Sequence, residues 1–181
     1  MTAIHGYAIV SRDDCIADDQ GQMPKVLMND ADWRYFQAEL DRAALLVVTR
    51  VSHEATPNIR GRRRLIMSRQ VSGLIERADG WWWNPQDLSW GGVVERLDLV
   101  ESRIAVPGGQ GAFDLFLTLG YTAFHLSRAE TVTLPAGHKL FSGVTETRTA
   151  DQILMAAGLT PGPVEMIDPD AAVSLTVYRS A

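Results

Sequence analysis

Arg103-Ile104-Ala105-Val106-Pro107-Gly108-Gly109-Gln110-Gly111-Ala112 passes from a short apolar segment through a glycine-rich turn into a helical pattern. Residues 103–106 read as a buried strand, 108–111 as a tight turn and 112–119 as a helix. Strand, glycine turn and helix in succession is the unit from which parallel sheets are built. Glycines also let backbone approach a pyrophosphate, and the exposed amides and dipole of the following helix stabilise an anion. From these residues alone, a glycine-rich connection with no ligand reads equally well.

The same alternation extends to both sides. Residues 5–10 form an apolar run that ends in Ser11-Arg12-Asp13-Asp14, a strand entering a loop that continues to about Met28. Asn29 or Asp30 can cap a helix whose Trp33, Phe36, Leu40 and Ala44 recur on one stripe. Residues 45–49, 65–68, 81–83 and 123–126 read as further strands. Asn84-Pro85-Gln86-Asp87 reads as a helix start, with that helix running to about Leu97. Thr149-Ala150-Asp151-Gln152 fits a capping box, and Gly158 closes the helix behind it. Residues 164–167 and 173–178, joined by Asp168-Pro169-Asp170-Ala171, predict a terminal hairpin. The expected architecture is a single α/β domain over residues 1–181. Its sheet is mostly parallel, of about eight strands, with an antiparallel C-terminal hairpin and helices on both faces.

Composition narrows the function. With 181 residues, 46% of them hydrophobic, the chain can bury one substantial core. A net charge of -5 gives no broad basic field for nucleic acid. Cys15 is the single cysteine, so no intramolecular disulfide or thiolate zinc site can form, and a reducing compartment fits. His5, His53, His125 and His138 lack metal-ligand spacing. Neither a signal-peptide pattern nor a membrane-length apolar run is present, so a soluble, cytoplasmic protein without a membrane partner is expected. One face of Trp81-Trp82-Trp83 offers a surface on which two copies could pair, although packing is the commoner use of such residues.

Two more clusters follow strand ends, where open α/β sheets bind ligands. Thr49-Arg50-Val51-Ser52 puts a guanidinium and a hydroxyl at a helix start, and Ser68 and Arg69 follow the next strand. Arg62, Arg63 and Arg64 precede that strand, and for Arg63 and Arg64 a solvated surface is the simpler reading. Asp32 lies one turn before Phe36. An acid in the first turn suits the helix dipole, but a carboxylate beside an apolar face can also hydrogen-bond an amidine-like edge of a heterocycle and assist its protonation.

Together these segments resemble the dihydrofolate-reductase-like superfamily, which includes the reductase domain of riboflavin-pathway deaminase-reductases, over nearly the whole chain. Asp32 with Phe36 resembles that superfamily's substrate carboxylate and the aromatic near the pterin. Thr49-Arg50-Val51-Ser52 resembles its Gly-Arg-x-Thr segment, whose arginine and hydroxyl hold NADPH phosphates. By the same likeness Arg62 stands for the arginine that grips a folate carboxylate, and Ser68 and Arg69 fall where the 2′-phosphate is held. Val106-Pro107-Gly108-Gly109, continuing into Gln110 and Gly111, resembles the turn beneath the nicotinamide and pyrophosphate, and Ser127 replaces a threonine that supports the carboxylate. Three positions depart from the pattern: Lys25 replaces the tryptophan of Met-Pro-Trp, Thr49 replaces a glycine, and Asp14 replaces the glycine of the riboflavin-type opening.

The resemblance implies NADPH-dependent hydride transfer to a pterin-like substrate such as dihydrofolate, or to a phosphoribosylaminopyrimidine of riboflavin biosynthesis. Asp32 would be the catalytic residue, with Phe36, Arg62, Lys25 and Ser127 on the substrate. Lys25 also motivates a rival expectation, a non-catalytic ligand- or nucleotide-binding protein that retains the fold.

Overall fold

The computed structural model describes all residues from Met1 to Ala181. The strands are β1 (Ala3–Ser11), β2 (Cys15–Ala17), β3 (Leu45–Thr49), β4 (Arg64–Met67), β5 (Leu74–Arg77), β6 (Gly80–Trp83), β7 (Arg103–Gly108), β8 (Ala123–Ala129), β9 (His138–Lys139), β10 (Leu159–Asp168) and β11 (Val173–Ser180). The helices are α1 (Asp30–Leu40), α2 (Arg50–Ala55), α3 (Trp90–Arg96), α4 (Gln110–Leu119) and α5 (Ala150–Ala156). Nine strands form one sheet in the order β10-β11-β8-β1-β7-β3-β4-β6-β5, and β2 with β9 forms a separate small pair. From β8 across to β6 the strands are parallel, while β5 at one edge and the β10–β11 hairpin at the other are antiparallel.

Period-two alternation splits the core between the two faces of the sheet. Ile4 and Val10 of β1, with Leu45 and Val47 of β3, join the large cluster that takes in Phe113 and Phe116 of α4 and Ile153 and Leu154 of α5. Tyr7 and Leu46 face the other way, with Leu40 and Phe36 of α1. Helices therefore cover both faces, as the sequence predicts.

Three expectations need correction. The sheet has nine strands because β5 pairs with β6. Leu74-Ile75-Glu76-Arg77 is a solvent-facing edge strand and so lacks an apolar run. No helix starts at Asn84. That side chain is buried, donates to the Val71 carbonyl (3.0 Å) and accepts from the Gln86 amide (3.1 Å), which makes a turn, and Ser89 caps α3 instead. The tryptophan run offers no pairing surface: Trp83 packs on Trp90 and Phe116, Trp82 is buried on the opposite face, and Trp81 rests against the main core.

Asp14 has φ 62°, the left-handed backbone region that favours glycine, yet its carboxylate is buried and used. It accepts from Arg128 Nη1 (2.6 Å) and the Ala150 amide (2.9 Å), while Arg128 Nη2 reaches Asp151 (2.6 Å). The loop after β1, strand β8 and the start of α5 are thus joined through one guanidinium.

Candidate active site

Asn29 sets the first turn of α1. Its side-chain oxygen accepts from the Ala31 and Asp32 amides at 3.0 Å each, and its amide group donates to Asp168 (2.7 Å). This cap fixes Asp32 at the helix start, where burial raises the carboxyl pKa and a hydrogen bond from Ser127 on β8 partly opposes the rise. Phe36, one turn on, packs edge-on against Tyr7 and beside the exposed Trp33. The structure therefore brings Asp32, Phe36 and Ser127 together between α1 and the sheet. Lys25 is exposed at the start of a single 3-10 turn, Lys25–Leu27, which is pinned by the buried Leu27.

At the carboxyl ends of β3 and β4, Arg50, Ser68 and Arg69 line one open cleft of about 240 Å³ with Thr49 and Gln70. Ser68 is buried and its hydroxyl accepts from the Gln70 amide (3.1 Å). Arg50 pairs with Glu54 on the solvent side (2.8 Å). Thr49 ties this cleft to the glycine turn. Its hydroxyl donates to Ser52 Oγ (3.0 Å) and accepts from the amides of Ser52 (3.4 Å) and Gly109 (3.3 Å). Gly108 has φ 131°, a conformation that favours glycine, and a Cβ on Gly109 would crowd Ser52 Oγ at 3.2 Å. The Gly108–Gly109 peptide is cis.

Two residues proposed from sequence are held elsewhere. The Arg62 guanidinium binds Asp41 through Nε (3.0 Å) and Nη2 (2.6 Å), and Gln37 Oε1 at 2.8 Å, so a carboxylate already grips it at the far end of α1. The Gln110 side chain donates to the Lys139 carbonyl (2.9 Å), fastening β9 rather than facing the cleft, whereas Gly111 is exposed at the start of α4.

Beneath α1 lies a polar seam that the sequence reading passes over. Tyr35 of α1 bonds His125 Nδ1 (2.5 Å), and His125 Nε2 meets His5 Nδ1 (3.1 Å). Arg103 donates to His5 (3.2 Å), to the Tyr7 hydroxyl (2.6 Å) and to Glu39, which also accepts from Arg42 (2.7 Å). Burial, with Arg103 adding to it, lowers His5 to about 4. Burial and the neighbouring His5 lower His125 to about 3, and burial pushes Tyr35 up to about 12. Both rings are neutral at physiological pH. The signal was present in the alternation of His5 and Tyr7 along β1 and in Tyr35 and Glu39 one turn apart on α1.

No protein-family profile and no curated protein matches the chain. Solved structures do. A riboflavin biosynthesis protein from Shewanella sp. PV-4 superposes with a TM-score of 0.69 at 15% identity, covering 99% of both chains. The chain has the dihydrofolate-reductase-like fold. Within that fold, a diaminohydroxyphosphoribosylaminopyrimidine deaminase/5-amino-6-(5-phosphoribosylamino)uracil reductase from Thermotoga maritima matches at TM-score 0.67 and 16% identity, with 99% of this chain covering 57% of that longer one. Dihydrofolate reductase from Enterococcus faecalis, complexed with NADP(H) and RAB-propyl, matches at TM-score 0.63 and 14% identity over 98% of this chain and 95% of that chain.

Proposed function

We propose that the protein is an NADPH-dependent reductase acting on the carbon–nitrogen double bond of a pterin-like heterocycle, or on the corresponding sugar-imine carbon of a phosphoribosylaminopyrimidine. The observation that carries this reading is Asp32: a carboxyl group whose pKa burial raises, facing Ser127 of β8, on a helix start whose backbone the Asn29 cap fixes, in the fold of known reductases.

NADPH would supply the hydride. The residues present fit it: Arg69, Arg50 and Ser68 share a cleft with phosphate-binding chemistry, and Thr49, which also lines it, ties it to the Gly108–Gly109 turn. Asp32 would accept hydrogen bonds from the amidine-like edge of the substrate and hold a proton there, favouring the protonated heterocycle. Ser127 would orient the carboxylate, and Phe36 with Tyr7 would wall the ring. Because Asp41 occupies Arg62, the exposed Lys25 is the better candidate for an anionic tail, which favours a phosphate-tailed pyrimidine over folate.

Purified protein with NADPH and each substrate tests this. Oxidation of NADPH that requires substrate and is lost in Asp32→Asn supports the reading; no turnover of either substrate removes both. One observation favours a second reading, a binding protein without catalysis: the Thr49 hydroxyl takes the Gly109 amide and narrows the cradle. Failure of NADPH to quench tryptophan fluorescence would favour that alternative.

A further inference from the structure

Arg62-Arg63-Arg64 enters β4 at its amino end, the end of the sheet away from the cofactor cleft. Strand alternation turns Arg64 inward, onto the face it shares with Ile66 and α2, and its side chain is buried with 8% of its surface exposed. Nη1 donates to His53 Nδ1 (3.0 Å) and to the Thr56 carbonyl (2.8 Å), but the buried Nε has no partner. None of the chain's ion pairs involves Arg64, and Asp79 binds the far nitrogen of His53 (3.0 Å) and the Trp82 indole (2.8 Å). Burial and the charge of Arg62 lower the Arg64 pKa, the direction expected of a cation without an anion beside it. A guanidinium stays protonated all the same, so a buried positive charge is left uncompensated.

Arg64 lines a cavity of about 720 Å³ with mainly polar side chains, bounded by the 56–63 loop and the β5–β6 turn. Arg77 lines the same cavity, stacked over the Trp82 ring at 4.5 Å and likewise without a carboxylate partner. Two acids line it too, Glu76, exposed on the edge strand, and Asp79, against the four arginines Arg62, Arg63, Arg64 and Arg77. In a protein of net charge -5, two unpaired guanidinium groups facing one cavity are a local reversal of sign. A phosphoryl group presents more acceptor oxygens and more negative charge than a carboxylate, so it suits two guanidinium groups better. The size suits a small polar molecule and the concave shape does not suit a duplex.

We infer that this cavity, at the amino ends of the parallel strands, binds the phosphate group of a small polar molecule through Arg64 and Arg77, separately from the cleft at the carboxyl ends. Pyrophosphate is the probe, followed by calorimetry at low ionic strength. Saturable binding is expected in the unmodified protein. Arg77→Ala, on an exposed strand, should weaken it by about tenfold or more while leaving the NADPH titration unchanged. Arg64→Gln should weaken it further, and Arg77→Ala keeps the test valid if that buried variant fails to fold. Arg69→Ala, at the opposite end of the sheet, should leave pyrophosphate binding intact. The inference is overturned if pyrophosphate does not bind, if Arg77→Ala binds it as well as the unmodified protein does, if NADPH competes it away, or if citrate binds equally well.

Discussion

Replacing Arg128 with methionine tests whether the clamp between the β1 loop and α5 is structural. Asp14 is almost fully buried, its side chain 5% exposed, so removing Arg128 leaves a carboxylate with only the Ala150 amide and no counter-charge. Breaking one partner of such a pair costs about 3–5 kcal/mol. The second arm, to Asp151 at 38% exposure, adds at most about 1 kcal/mol. For a chain of this length each kcal/mol moves the melting midpoint by roughly 2–4 °C, so Arg128→Met should lower it by about 6–24 °C. Adding Asp14→Asn removes the orphaned charge and should recover part of the loss, so the double variant should melt above Arg128→Met. Scanning calorimetry of the four proteins completes the cycle. A drop under about 3 °C in Arg128→Met, or a double variant less stable than the single one, refutes the reasoning.

Asp32→Asn should reduce turnover by about a hundredfold to ten-thousandfold in the reductase reading, and it should also stabilise the protein at neutral pH. A raised folded-state pKa gives stability that is full below the unfolded carboxyl pKa and lost as pH rises through the folded value, and asparagine removes that loss; urea midpoints that coincide across the pH range would contradict it. The two buried histidines act in the opposite sense. Lowered to about 4 and about 3, they stay neutral while unfolded histidines take up protons below the ordinary value of 6.5, so stability should fall as pH drops from there toward those values; a denaturation profile as steep in His5→Asn/His125→Asn would discount them. Arg50→Ala and Arg69→Ala should each weaken NADPH by about tenfold and NADH by far less, and equal losses in a fluorescence titration would rule out contact with the 2′-phosphate.

The parallel core was readable because strands buried on both faces are continuous apolar runs, as in Leu45-Leu46-Val47-Val48. The Asn29 cap and the Thr149–Gln152 capping box were readable because local hydrogen bonding alone specifies them. What sequence missed depends on distant partners. Asn84 has the profile of a helix cap, and only the Val71 carbonyl thirteen residues away diverts it into a turn. Arg62 carries the right residue type for an anionic tail, but nothing local announces that Asp41, twenty-one residues earlier, already holds it. The Gly108–Gly109 turn, by contrast, stood out by its place between a strand and a helix, while Asp32 and Ser127 were singled out by resemblance to the superfamily.

The seam of Tyr35, His125, His5, Tyr7, Arg103 and Glu39 bears on how α1 can move. Greasy contacts would let a helix slide or roll by small steps with little penalty, because dispersion is indifferent to direction. Hydrogen bonds to two side chains one turn apart, Tyr35 and Glu39, instead fix the roll of α1 about its own axis and its height above the sheet. Asp32 rides on that same rigid rod. Its bearing is thus set from below by a polar keyway, so that in the proposed reductase the carboxylate would keep its aim while Phe36 and Trp33 adjust to a bound ring.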